Sequence, residues 1–153
     1  MALDRYDFFW ETMKLCNWDS FVGDKNALAP LIRVLSKLPD EKIFSFEDVM
    51  VELLYALDTR KLFTQCKKAN PNAGDYMFLN ARCAALTSGK EYYEKVKACK
   101  MKRVWGRTWE AEFDAFLQVP SRAWALKHRK QSCDYPHETP LCCKTGSNGE
   151  GWN

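Results

Sequence analysis

Apolar residues recur at helical spacing along nearly the whole chain, and sustained alternation of apolar and polar residues occurs nowhere. A strand half-buried in a sheet needs a period of two, and an amphipathic helix needs 3.6. The pattern therefore predicts an all-α fold, a single compact bundle of six or seven short helices followed by an irregular C-terminal tail. Residues 4–16 place Tyr6, Phe9, Met13 and Cys16 on one face, and residues 26–38 do the same with Leu28, Leu31, Leu35 and Leu38. Pro30 suits the first turn of that helix, where backbone N–H groups lack intrahelical partners, and Pro39 marks its end. The clearest helix spans about 46–65, with Ser45 and Asp48 as a capping box. Phe46, Val49, Met50, Leu53, Leu57 and Arg60 share one of its faces, and Val51, Leu54, Tyr55, Asp58 and Leu62 a neighbouring one. A helix apolar on so much of its circumference is expected at the centre.

Asn70-Pro71 punctuates a polar loop, after which Asp75 can cap a helix to about Leu86. Ser88 and Glu91 form a second capping box for a helix to about Lys102, with Tyr92, Val96 and Cys99 inward. Thr108 can cap a short helix carrying Trp109, Phe113, Phe116 and Leu117. A last helix starts at Pro120 or Ser121 and places Trp124 and His128 four residues apart. The domain reading is a helical domain over 1–131 and an irregular tail over 132–153, docked back through Trp152, since a free tail seldom carries a large aromatic. At 153 residues the chain is long enough to bury a core without covalent staples. No apolar run approaches the length of a membrane span. The first ten residues, with two acids and no apolar run, do not read as a secretory signal.

The net charge of +3 conceals a block pattern. Residues 1–59 carry six basic and eleven acidic side chains, residues 60–107 twelve and three, and residues 108–153 five and six. The ordinary reading of the middle block is solvated lysines facing acidic helices; the functional one is an anionic partner. Seven Cys is an odd count. Cys16, Cys66, Cys83 and Cys99 lie on helical patterns and read as small core residues in a reducing cytoplasm.

Two arginines stand out. Arg60 continues an apolar stripe, and Arg82 sits within the stripe of Phe78, Leu79, Ala85 and Leu86. An inward guanidinium has to be compensated, since an unpaired buried charge is prohibitive. Asp58, Asp75, Asp19 and Asp114 are candidate partners in structural ion pairs. The functional alternative is a pocket in which Arg60 and Arg82 grip a small anion, with Asp58 as an acid–base or orienting group. Cys133, His137, Cys142 and Cys143 are zinc-type ligands without zinc spacing, so no metal and no cofactor are expected. Glu110, Glu112 and Asp114 read as the wet side of a helix. No catalytic motif surrounds His128 or His137, and no catalytic residue is assigned. The lysines lack any recognisable nucleic-acid motif, so nucleic acid is a poor fit.

Phe9-Trp10-Glu11, the run Leu54-Tyr55-Ala56-Leu57-Asp58-Thr59-Arg60, Phe78-Leu79-Asn80-Ala81-Arg82-Cys83-Ala84, and Gly89-Lys90-Glu91-Tyr92-Tyr93 together resemble a bacterial domain-of-unknown-function family, numbered 4240. The ending, Thr145-Gly146-Ser147-Asn148 and Gly151-Trp152, is similar to that family's ending, whereas Cys133 to Cys143 departs from it. The resemblance implies a small, helical, cytoplasmic bacterial protein without an assigned reaction. It singles out Asp58, Arg60 and Arg82, and adds Asn148 and Trp152 as candidate binding residues. The expected role is that of a non-enzymatic protein-binding module of immunity or antitoxin type, whose partner is a toxin or effector. An enzyme or small-anion-binding protein using Arg60, Arg82 and Asp58 is the alternative.

Overall fold

The computed structural model describes residues 3–16, 18, 25–100 and 113–153. The fold is all-α, with no strand among the described residues. Its helices are α1 (Arg5–Met13), α2 (Ala29–Ser36), α3 (Asp40–Ala56), α4 (Arg60–Ala69), α5 (Asp75–Thr87), α6 (Lys90–Lys97), α7 (Asp114–Leu117), α8 (Val119–His128) and α9 (Gly149–Trp152). Among the described residues no helix is long and apolar enough to cross a membrane. Two structural units divide the chain: Met1–Met50 with Glu112–Pro140, and Val51–Ala111 with Leu141–Asn153.

In the first unit, Asp4 caps α1 by accepting the Asp7 N–H at 2.9 Å. Phe9 from α1 packs against Phe46 of α3 with ring centroids 4.8 Å apart, and both are fully buried. Each such side chain contributes about 1.5–3 kcal/mol of apolar burial. α2 lies along α8. Pro30 and Pro120 sit in their first turns, where a missing N–H costs little.

Segment 132–140 is fastened to the acidic side of α3. Tyr135 donates its hydroxyl to Glu47 Oε1 at 3.1 Å, and His137 Nε2 lies 2.7 Å from Asp48 Oδ1. The His137 ring stacks on Phe44 at 4.6 Å. Burial pushes the Glu47 carboxyl up from its ordinary value. Two turns earlier on α3, Asp40 accepts from Lys127 Nζ at 2.7 Å and lies 2.9 Å from His128 Nε2. Those two bonds hold the Asp40 carboxyl below the usual range.

The second unit contains the last turn of α3, then α4 to α6, and α9. Here the helix buried on most of its circumference is α5, with Phe78, Ala81, Arg82, Cys83, Ala85 and Leu86 at or below 1% exposure. Tyr93 of α6 is also fully buried and donates its hydroxyl to Leu53 O at 2.6 Å.

Several local expectations change. The helix expected over 46–65 is two helices. It starts earlier, at Asp40, so Ser45 lies inside α3 and caps nothing. It breaks at Leu57–Thr59, because Thr59 adopts extended backbone and its hydroxyl accepts the Leu62 N–H at 3.2 Å. That cap restarts the helical register, and Arg60 turns out to solvent instead of continuing the apolar stripe. The Ser88 capping box is also absent. Ser88 ends α5 and donates to Ala84 O at 2.7 Å, while Gly89, at φ +104°, opens α6. Gly74, not Asp75, is the cap of α5. Tyr93 rather than Tyr92 is the fully buried tyrosine, and Cys99 is half-buried where Cys16, Cys66 and Cys83 are buried. Thr108, Trp109, Glu110 and Glu112, with Asp19, lie outside the described residues.

Candidate functional site

Asp58 occupies the break between α3 and α4, and its side chain is fully buried. Its carboxylate is the hub around which residues 143–152 wind as a strap. Oδ1 accepts from Gly146 N at 3.0 Å and from Trp152 Nε1 at 2.8 Å. Oδ2 accepts from Asn148 N at 3.0 Å. A carboxylate satisfied by three donors can be buried, because hydrogen bonds to the charged form replace its hydration. Gly146 makes the winding possible with φ +88°, a conformation that L side chains rarely adopt.

Asn148 secures the strap at a second level. Its Nδ2 donates to Tyr55 O at 3.1 Å, and its Oδ1 accepts the Gly151 N–H at 3.2 Å, capping α9. Tyr55 lies in the last turn of α3, and its carbonyl also accepts from Asp58 N at 3.0 Å, so the tail adds a second bond to that helix end.

Arg82 works from the opposite side, from the middle of α5. Its Nη1 donates to Leu54 O at 3.1 Å and to Cys143 O at 2.8 Å. Its Nη2 donates to Thr145 Oγ1 at 3.0 Å, and that hydroxyl in turn donates to Asp75 O at 2.7 Å. The guanidinium lies 4.7 Å from the centroid of the Phe78 ring. Burial pushes the Arg82 guanidinium down from its ordinary value, and the negative charge of Asp58 opposes that shift. No carboxylate of the described residues forms an ion pair with Arg82; two carbonyls, a hydroxyl and a ring surround it instead. Its Nε is buried with no hydrogen-bond partner among the described residues.

Arg60 reaches the same strap from the solvent side, donating from Nε to Trp152 O at 2.8 Å. The Trp152 ring packs on Phe63 at 5.2 Å and on Phe78 at 6.5 Å. Asp58, Arg60, Arg82, Asn148 and Trp152 thus belong to one hydrogen-bonded network. What they share is the strap and not a cavity. Arg60 borders a cleft of about 490 Å³ together with Lys61, Thr64, Gln65, Lys68, Gly151 and Asn153. Neither Asp58 nor Arg82 lines it, and both are closed off from solvent.

The tail thiols divide by environment. Cys133 and Cys142 are exposed and Cys143 is half-buried. Hydrogen bonds from the Ser147 hydroxyl and the Lys144 backbone hold the Cys142 thiol below its ordinary value, whereas burial pushes Cys66 up to about 11. His137 is engaged with Asp48, and among the described residues no three His, Cys, Asp or Glu side chains are grouped to hold a metal ion.

Two features escaped the sequence reading. The first is the pairing of both histidines with Asp40 and Asp48. Those acids lie eight apart, on one face of a helix that starts at Asp40, but starting the helix at 46 conceals that face. The second is the pair Lys61 and Lys68, which share a stripe with Arg60 because α4 runs on to Ala69; ending the helix near 65 conceals it.

Gly151 gives a sharp test of how closely the strap is seated. A Cβ there would stand 2.8 Å from the backbone O of Asp58 and 3.0 Å from Thr59 Cγ2. Backbone cannot yield as a flexible side chain does, so Gly151→Ala is expected to push the strap outward, at a cost of about 1–3 kcal/mol. Hydrogen-exchange mass spectrometry should show amides of 144–152 exchanging at least tenfold faster, with the amides of α5 unaffected. Unchanged exchange in the strap would refute the close seating.

The family described as Protein of unknown function (DUF4240) matches residues 5–123. No curated protein and no solved structure matches the chain. The family match takes in α1 through the first half of α8, including Asp58, Arg60 and Arg82, and ends before the strap. With well over half of its 153 residues matched, the chain belongs to the DUF4240 family of proteins of unknown function.

Proposed function

We propose that this protein is a non-enzymatic protein-binding module of immunity or antitoxin type, acting in the bacterial cytoplasm on a toxin or effector partner. One observation carries the reading. Among the described residues the two fully buried charged side chains, Asp58 and Arg82, direct most of their hydrogen bonds to the chain's own strap, which leaves a cationic surface rather than a reactive centre facing solvent. An excess of one charge sign on an exposed face speeds encounter with a partner of the opposite sign and suppresses wrong pairings. Co-expression with the product of the adjacent gene tests it. The expected result is a complex that survives size-exclusion chromatography and a host cell protected from that product's toxicity. A chain that stays monomeric and protects no cell overturns the reading.

A second reading has one observation in its favour. Arg60 is exposed at the edge of a cleft, as a small-anion site would require. In that reading Arg60 contacts the anion, while Arg82 and Asp58 act as positioning residues through the strap.

A further inference from the structure

α4 presents Arg60, Lys61, Thr64, Gln65 and Lys68 along one wall of the cleft, with Gly151 and Asn153 opposite. These α4 positions step through the helix at i, i+1, i+4, i+5 and i+8, one continuous stripe. At 1.5 Å per residue the stripe separates Arg60 from Lys68 by about 12 Å. None of the described lining side chains is acidic. Lys61 and Lys68 make no ion pair with any described carboxylate, whereas Lys95 of α6 is paired with Glu91 at 3.3 Å. Glu150 lies on α9 but does not line the cleft.

Three cations spread over about 12 Å are too far apart for one small anion to engage together. They fit a row of anions. In an extended peptide, side chains on one side recur about every 6.8 Å, so carboxylates at i and i+4 span about 14 Å. The Thr64 hydroxyl and the Gln65 amide stand between, where they can meet the carboxylate at i+2 or the peptide backbone. A single-stranded nucleic acid offers a comparable row of charge, but it needs aromatic faces on which bases stack. No aromatic residue is among the described lining of this cleft, and the ring of Trp152 packs on Phe63 and Phe78 with its N–H given to Asp58.

We propose that this cleft is a docking site for an extended acidic peptide segment, whose carboxylates pair with Arg60, Lys61 and Lys68. The proposal rests on the protein-binding reading above and names the chemistry of the segment the partner presents. Arg60 is already fixed by the Trp152 carbonyl, which reduces the entropy lost when it is engaged.

The test uses the full chain and a fluorescein-labelled peptide, Gly-Glu-Ser-Glu-Ser-Glu-Gly, followed by fluorescence anisotropy at 50 and 200 mM salt. Binding should weaken at least fivefold over that range. The double variant K61E/K68E should bind at least tenfold more weakly than the parent. K90E/K97E, with the same change of net charge on α6, should stay within threefold. Far-UV melting curves check that both variants fold. Equal losses in the two variants would reduce the effect to net charge and overturn the site. So would displacement of the peptide by an equal concentration of inorganic phosphate, or tighter binding of a ten-residue oligothymidine. The two proposals can fail separately. If the adjacent gene product co-purifies with K61E/K68E as well as with the parent, the cleft proposal falls and the protein-binding reading stands. If no such complex forms and the peptide pattern holds, the reverse is true.

Discussion

Asp58→Ala is expected to release the strap and to lower global stability by about 3 kcal/mol or more. The variant leaves Gly146 N, Asn148 N and Trp152 Nε1 without their acceptor. A buried donor left without a partner costs about 1–3 kcal/mol, and more where the lost acceptor was charged. The three losses do not simply add. Once the strap lifts, its donors regain water, and the penalty levels off near the free energy of docking the strap. Its lifting also takes Cys143 O and Thr145 Oγ1 from Arg82, which is then left inside the protein with Leu54 O and the Phe78 ring. Urea denaturation should show the lower midpoint, and limited proteolysis should show cleavage near 144–150 under native conditions. A variant with the parent midpoint and a resistant strap would disprove the assignment of Asp58 as the hub. Asp58→Asn should lie between the two. Its amide oxygen can still accept, but its NH₂ group faces a backbone donor.

Arg82→Met is the second large effect, with an expected loss of about 3 kcal/mol or more, because buried acceptors that lose a charged donor cost about 1–3 kcal/mol each. Met fills part of the volume but leaves the carbonyls of Leu54 and Cys143 and the hydroxyl of Thr145 without the guanidinium. It also removes the positive charge that interacts with the buried Asp58 carboxylate. Arg82→Lys separates charge from geometry. The ammonium keeps the positive charge, but it is a compact group with no planar fork to hold two strands of backbone and a hydroxyl at once. It should recover less than half of the loss. Full recovery by Lys would mean that charge alone is required. Because Asp58 and Arg82 hold the same strap, the double variant Asp58→Ala/Arg82→Met should cost clearly less than the two single effects combined. Thermal or urea unfolding of the four proteins completes that cycle.

Helix periodicity was enough to locate most of the elements. α1, α2, α5 and α8 fall within a few residues of where Phe9, Leu31, Phe78 and Trp124 place them. The errors cluster at helix ends. There the deciding quantity is a single hydrogen bond or a backbone dihedral, not a run of apolar residues. Thr59 reads as an ordinary helical residue between Leu57 and Leu62, yet its hydroxyl stops one helix and starts another. That one cap reverses the reading of Arg60 from inward to exposed. Arg82 was legible as an anomaly, because a guanidinium inside an apolar stripe needs compensation. Its partners were not, since Cys143 and Thr145 lie about sixty residues away and two of its three acceptors are main-chain carbonyls. Backbone carbonyls leave no mark in a sequence.

The sequence by itself determined the all-α class, the membership of a family and the oddity of Asp58, Arg60 and Arg82. These follow from local periodicity, from runs of matching residues and from the cost of burying charge, all of which can be judged along the chain. Tertiary structure alone decided what those residues do. Asp58 and Arg82 hold the strap from two sides, and Arg60 stands outside it at the edge of a basic cleft. The physical reason is that a buried charge has to be satisfied by whatever groups the fold brings near. Here those groups come from the last eleven residues of the chain, winding back onto a break between two helices.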